Sequence, residues 1–417
     1  MNLLFSKYQS GSKDLTLSNP SLVPAGIAIV AATYGLARYA FGLFLPQIQS
    51  DLGLAVYEMG IIAGSSYAGY LIATVIGSWM SALTGPRIPV LLGGLAATVG
   101  MVAIGMADNL PLLGFGVIVA GASPGLAYPP MSDAVIMTTE VGRRSHAYAW
   151  INCGTGVGVV IAAPFALWAG ESWRLAWLLF AFIAAGATVW NSRTMPNHRF
   201  GGTDARLPRL NKEWFWKEKS RGLLIAAVLF GLGTSVYWTF SVNLLVTNGA
   251  LSMDIASAFW VCIGLAGLTG GVTANIANCL NLKNTFVIGI LACAGAVASL
   301  PFLNNSISVM ASGAVFGATF IIVTAVFGIW SMEVFEDRPS AGFGLTFLLI
   351  SIGQLIGPIG AGFLADAINM PMAFWFSAAL LILTSLFAPR AHVMPERQKA
   401  TGTIRNGDVI SNKYNSN

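Results

Sequence analysis

Charge is the scarcest property of this chain. Asp, Glu, Lys and Arg make up 9% of its 417 residues, whereas a soluble domain carries roughly 25%. So few charges cannot clothe a water-facing surface of this size. Histidine and cysteine are equally thin. His146, His198 and His392 stand far apart, and Cys153, Cys262, Cys279 and Cys293 form no paired motif, so neither metal-ligand spacing nor a disulfide framework is in view. No cofactor or metal is expected. One hydrolase-like pattern, Gly121 to Gly125 around Ser123, sits inside an apolar stretch beside Pro124. A nucleophile elbow needs a strand, a turn and a helix, so an enzyme is not expected.

Apolar residues are what the chain has in quantity. They make up 55% of it, with a mean hydropathy of +0.71. At about 20 residues per membrane span with short loops between, this length accommodates roughly a dozen helices. Twelve segments are predicted, at 22–45, 57–83, 88–107, 111–138, 146–169, 172–192, 222–247, 253–277, 284–303, 305–332, 341–365 and 370–389. The expected fold class is therefore an all-α membrane protein. The polar leader 1–21 contains Lys7, Lys13 and Asp14, and the first span lacks a small-residue cleavage pattern, so it is expected to persist as a helix.

Charge placement gives an orientation. With both termini in the cytoplasm, 20 of the 22 Lys and Arg residues fall on the inner side, Arg174 falls outside, and Arg38 falls within a span. That is the positive-inside pattern. It predicts a multi-pass protein of the inner, or plasma, membrane with both termini cytoplasmic. It also accounts for the basic pI through topology and contact with anionic lipid, without nucleic acid.

The longest break between spans separates six from six. It divides the chain into a bundle at 22–192, a cytoplasmic loop at 193–221 and a second bundle at 222–389. Within the loop, Asn211 to Arg221 mixes basic and aromatic residues, which suits either a helix at the headgroups or a solvated linker. The tail 390–417 is polar without a hydrophobic period and is expected to be disordered.

Internal repetition supports the division. Glu140-Val141 precedes Arg144 before the fifth span, and Glu333-Val334 precedes Arg338 before the eleventh. Each arginine stands 20 residues ahead of an in-span proline, Pro164 and Pro358. Equivalent spacing at corresponding helices argues for duplicated six-helix units of the kind used by rocking transporters.

These features, with the glycine pattern Gly344, Gly353, Gly357-Pro358 of the eleventh span, resemble the major facilitator superfamily over essentially the whole chain. The pattern corresponds to what that superfamily calls motif C in the fifth helix of its drug antiporters. In the fifth span here it is reduced to Gly154, Gly156 and Gly158 followed by Ala163-Pro164. The loop after the second span keeps the Gly85-Pro86-Arg87 end of motif A but has Ala82 where that motif places an aspartate. The fourth span lacks the arginine of many proton-coupled members. Tyr34 to Pro46 resembles the first helix of a poorly characterised bacterial branch. The resemblance implies two pseudo-symmetric six-helix bundles, transport by alternating access, and proton coupling.

Arg38 is the residue that points to a site. A guanidinium within a membrane helix costs from about 2.5–3.5 to above ~10 kcal/mol, so it faces water, a partner or a substrate unless it snorkels to the headgroups. On a 3.6-residue period Tyr34, Arg38 and Phe41 share one stripe. A fork between aromatic rings can hold a carboxylate while the rings pack on an organic body. Candidate companions are Tyr67 and Tyr70 of the second span, Asn152 of the fifth, Tyr237, Trp238 and Asn243 of the seventh and Gln354 of the eleventh. Each has the alternative reading of a helix-helix contact. Asp133 is the one carboxylate placed within a span, either as a proton site or as a gate latch to Arg87 or Arg144. Glu140, Glu333 and Arg338 are further candidates for gating.

The expected function is a monomeric secondary transporter that moves a small organic anion, by proton-coupled uptake. Efflux of amphipathic compounds is the alternative, and a transporter-like sensor is the third reading.

Overall fold

The computed structural model describes residues 21–140, 143–169, 172–197, 218–248, 251–269, 273–335 and 339–389. The leader, the aromatic and basic stretch before Glu218, the tail and Arg338 lie outside the described residues. The described chain is helical and without strands.

Twelve helical segments follow in order: α1 Leu22–Leu52, α2 Val56–Thr84, α3 Arg87–Gly105, α4 Leu110–Thr138, α5 Arg144–Ala169, α6 Trp173–Thr194 and α7 Glu218–Thr247. The eighth segment, α8, comprises Met253–Gly267 and Thr273–Leu280, and α9 Leu282–Phe302, α10 Ser306–Val334, α11 Pro339–Ala367 and α12 Met370–Ser385 complete the set. Ten are long and apolar enough to cross a bilayer, and Met253–Gly267 and α12 are shorter apolar helices. Large apolar side chains such as Ile72, Phe182 and Ile307 are exposed, as a lipid-facing surface requires.

The expected spans match to within a few residues, with one correction. The first was expected to end at Leu45, one residue before Pro46. The helix instead absorbs Pro46 and runs to Leu52, ending at Gly53, whose φ of 62° is the left-handed turn that glycine favours. α1 is π-helical over Ala31–Tyr39 and returns to α-helix over Ala40–Leu52, the segment that contains Pro46.

The two halves are built alike. α4 and α10 are both 29 residues long, and each is capped by an asparagine whose Oδ1 accepts a main-chain N–H at 2.9 Å, Asn109 from Leu112 and Asn305 from Ser308. In the first half Gly154 and Gly158 of α5 lie against the α1 carbonyls of Ile27 and Ala31. In the second, Gly353 and Gly357 of α11 lie against the α7 carbonyls of Val228 and Leu232. Absence of a side chain lets the backbones approach this closely. Gly344, the first glycine of the motif, has no neighbour within 4 Å of where a Cβ would stand, so its part in the pattern is not packing.

α1 and α7 occupy the centre. Their most apolar windows are 83% and 78% buried, against 39–50% for the other long helices. Between the halves, α1 meets α7 where Gly42 lies on the Trp238 carbonyl, and α2 meets α11 where Gly60 and Gly64 lie on the carbonyls of Pro358 and Leu355. α5 meets α8 where Gly156 faces the Gly264 carbonyl. The first two seams belong to the end of the bundle that carries the α1–α2 loop. There the Tyr57 N–H donates to Asp366 Oδ2 at 3.0 Å, and Asn243 Nδ2 donates to Gln49 Oε1 at 2.6 Å, each bond crossing from one half to the other.

Candidate functional site: an arginine in a tyrosine cage

Arg38 is 6% exposed and lies in the π-helical stretch of α1. π turns bond residues five apart rather than four, and the consequence is visible in the side chains. Tyr34 and Tyr39, five residues apart, stack with ring centroids 6.3 Å apart, and both rings lie beside the Arg38 guanidinium, at 5.7 and 5.6 Å. From α2, Tyr67 and Tyr70 come closer, at 4.4 and 4.2 Å. These two are three apart on an ordinary helix and so share a face.

Four aromatic faces attract a cation by about 0.5–2 kcal/mol each. They provide no lone pair in the plane of the guanidinium, however, and Arg38 Nε and Nη2 are buried without a hydrogen-bond partner. An unsatisfied buried donor costs about 1–3 kcal/mol, and more when charged. No carboxylate forms an ion pair with Arg38 among the described residues. The site is thus a shielded positive charge with unused donors.

A cavity of about 20 Å³ adjoins it, lined on the first half by Arg38, Phe41, Ser66 and Tyr67 and on the second by Trp238 and Thr239. That is room for about one water-sized group. Trp238 closes one wall by packing on Tyr39 at 4.4 Å and on Trp260 at 5.7 Å. One helical turn further along both α1 and α7 lies a second cavity of about 490 Å³, bordered by Pro46, Gln49, Asn243, Thr247 and Asn369. The Gln49–Asn243 bond borders this vestibule.

Away from the vestibule, the cage continues through polar aromatics. Tyr34 Oη donates to Tyr70 Oη at 3.1 Å, the Tyr34 ring meets that of Tyr128 edge-on at 5.4 Å, and Tyr128 Oη donates to Asn152 Oδ1 at 2.8 Å. Asn152 is exposed. A chain of hydrogen bonds and one ring contact therefore joins the cage beside the buried arginine to Asn152, an exposed residue within the α5 span.

Of the expected binding residues, Tyr34, Phe41, Tyr67, Tyr70 and Trp238 are gathered around Arg38, while Asn243 borders the larger cavity and Asn152 is joined to the cage through Tyr128. Tyr237 is placed elsewhere. It is fully buried in the second half, stacked on Phe316 at 3.9 Å with its hydroxyl on Ser312 Oγ at 2.8 Å. Gln354 is buried at the α7–α11 seam beside Gly231. Two members of the site were missed. Tyr39 is off the 3.6-residue stripe and becomes a neighbour through the π turns. Gln49 lay beyond the expected end of the first span.

The gating candidates separate. Ser81 Oγ donates to Asp133 Oδ2 at 2.6 Å, Arg87 Nη2 donates to the Ser192 carbonyl at 2.5 Å, and Arg144 donates to the carbonyls of Thr139 and Ile136 at 3.0 and 2.8 Å. Of the two readings of Asp133, the gate latch to Arg87 or Arg144 is not formed among the described residues, and the bonds of all three side chains stay within the first half. Glu140 pairs with Arg143 at 3.9 Å on the surface, both side chains being more than half exposed, and Glu333 is exposed near the end of α10. Arg174, the arginine outside the inner cluster, binds Asp51 at 2.6 Å and the Ala107 carbonyl, tying α6 to the ends of α1 and α3.

Comparison with known proteins agrees with this architecture. The family model described as Major Facilitator Superfamily matches residues 27–341. The chain is 25% identical over 404 residues to the transcription regulatory protein OpdE of Pseudomonas aeruginosa, covering 90% of this chain and 94% of that one. It is 25% identical to monocarboxylate transporter 13 of Rattus norvegicus, covering 85% and 84%. The crystal structure of the nucleoside transporter NupG superposes with a TM-score of 0.73 at 10% identity, over 88% of this chain and 98% of that one. With paired six-helix halves meeting along α1 and α7 and a family match over most of its length, the chain belongs to the major facilitator superfamily of multi-pass membrane transporters.

Proposed function

We propose that this transporter carries a small organic anion by alternating access, with Arg38 as the group that binds the charge. The observation that carries the proposal is the state of Arg38: buried, caged by four tyrosines, and holding Nε and Nη2 donors that no protein acceptor satisfies. A carboxylate fits both donors in a fork, and the rings accept an organic body. The similarity to a protein named as a monocarboxylate transporter is in keeping with this class of solute.

Uptake coupled to protons is the direction proposed, into a cell whose plasma membrane holds the protein as a monomer with both termini cytoplasmic. Asp133, half-buried on α4 and bonded to Ser81, is the proposed proton carrier. A second reading draws on the similarity to OpdE, a protein named as a transcription regulator: a sensor would bind the same anion and not move it.

Reconstitution into proteoliposomes with labelled acetate, lactate and pyruvate tests the proposal. Uptake is expected to rise with an inward proton gradient. Arg38→Lys should bind weakly, because a point charge does not reproduce the fork, and Arg38→Gln hardly at all. Normal transport by both variants would remove Arg38 from the binding role. Binding without flux in the same vesicles would favour the sensor.

A further inference from the structure

We infer that the bound carboxylate is shared between the two halves, its oxygens taken by Arg38 from α1 and by the indole N–H of Trp238 from α7, and that the site is built for one carboxylate. This inference rests on the proposed anion site and deepens it by naming the donor from the second half and the substrate class, a short monocarboxylate.

Three of the buried donors without partners belong to two residues that line the 20 Å³ cavity, one from each half: Arg38 Nε, Arg38 Nη2 and Trp238 Nε1; the indole N–H groups of Trp173, Trp177 and Trp260 are unpartnered too but lie outside this lining. All three can donate and none can accept, so the group that satisfies them is rich in lone pairs. Trp238, like Arg38, is 6% exposed. A cavity of this size holds about one water-sized group, so it takes the charged tip of an acid and not its body, and the remaining lining side chains are aromatic, small or hydroxyl-bearing.

Arg38 is the one cation lining the cavity. A second carboxylate on the same solute would find no second cation in this lining and would have to be desolvated without a partner beside it, a costly arrangement for a charge. A monocarboxylate leaves no such charge. Because one donor sits on each half, occupancy also draws α1 and α7 together at the position where Gly42 already lies against the Trp238 carbonyl. Binding energy is thereby tied to the closed arrangement of the halves, which is the differential interaction that a ligand-driven change of state requires.

The test uses the full chain in proteoliposomes, with labelled acetate as the reporter and lactate, succinate and chloride as competitors at neutral pH. Lactate is expected to compete at least tenfold better than succinate. Trp238→Phe, which keeps a ring and loses the N–H, should raise the KM for acetate about tenfold with the maximal rate retained, as loss of one hydrogen bond to a charged group predicts. Trp238→His restores an N–H donor and should recover part of that loss.

An unchanged KM in Trp238→Phe, with uptake still abolished by Arg38→Gln, would overturn the shared clamp and leave the anion proposal standing. Equal competition by succinate would overturn the single-carboxylate class. Should Trp238→Phe fail to fold, the histidine variant and the competitor panel decide in its place. Strong competition by chloride at the acetate concentration would show a site for a bare anion and overturn the carboxylate assignment. Normal acetate uptake by Arg38→Gln would instead overturn the anion site itself.

Discussion

Gly42 of α1 rests on the main-chain carbonyl oxygen of Trp238 in α7, so the two central helices touch backbone to backbone beside the arginine cage. A Cβ at Gly42 would fall on that oxygen, and the Trp260 ring stands on the other side of the same position. Gly42→Ala is therefore expected to push α1 from α7 and to destabilise the fold by about 1–3 kcal/mol, the usual cost of overpacking. Thermal unfolding of the purified protein reads the destabilisation, and acetate uptake reads the separation of the helices. A wild-type midpoint with full uptake would mean that the helices separate freely at this point.

The Gln49–Asn243 bond joins the halves at the vestibule. Asn243→Ala should weaken that closure by about 0.5–1.5 kcal/mol, a two- to tenfold change in the equilibrium. A Ser50→Cys reporter, placed on the vestibule wall, should then react faster with a membrane-impermeant maleimide by a similar factor. Gln49→Ala added to Asn243→Ala should produce little further change, since both remove the same bond. Fully additive effects would assign the two side chains separate roles.

Tyr70 is the ring nearest to the Arg38 guanidinium, at 4.2 Å. Tyr70→Leu removes a cation-π contact of about 0.5–2 kcal/mol and should lower acetate affinity severalfold. Tyr70→Phe keeps the ring face and loses the hydroxyl that accepts from Tyr34, so its effect should be smaller. The reverse order of the two variants would mean that the hydroxyl, and not the ring, positions the arginine.

Asp133 is held by Ser81 within the first half and forms no ion pair among the described residues. As the proposed proton carrier, Asp133→Asn should abolish accumulation of acetate against its gradient while exchange of labelled for unlabelled acetate continues. Gradient-driven accumulation by Asp133→Asn would place the coupling elsewhere. Ser81→Ala should leave accumulation intact, because it removes a hydrogen-bond partner and not the carboxylate.

The pseudo-symmetry carries its own prediction. Gly158 lies against the Ala31 carbonyl and Gly357 against that of Leu232, at corresponding seams of the two halves. Alanine at either position should lower stability by a similar amount, about 1–3 kcal/mol, in thermal unfolding. A large loss at one position alone would show that the two halves bear unequal strain.

The membrane spans were legible because their signal is compositional and local. A bilayer demands about 20 apolar residues at a time, and the expected span ends fall close to those of the helices. The exception is α1, which continues as α-helix through Pro46 to Leu52. Arg38 was equally legible, since a lone charge in an apolar stretch is conspicuous without any knowledge of packing. Its surroundings were less so. Tyr67 and Tyr70 were named as candidates among several polar residues of their span, and Tyr237 was named beside Trp238 although the two neighbours point to different places.

Adjacent residues on a helix face about 100° apart, so which of Tyr237 and Trp238 meets α1 depends on how α7 is rotated against it. Tyr39 joined the cage because π turns changed the register of α1, and that change has no simple trace in residue types. Amino-acid order alone was enough for the number of spans, their pairing into two halves and the anomaly of Arg38, all of which follow from hydrophobicity and spacing along one chain. The partners of Arg38 were settled by helix rotation, close glycine contacts and the π register, because these are set by packing between segments far apart in the sequence.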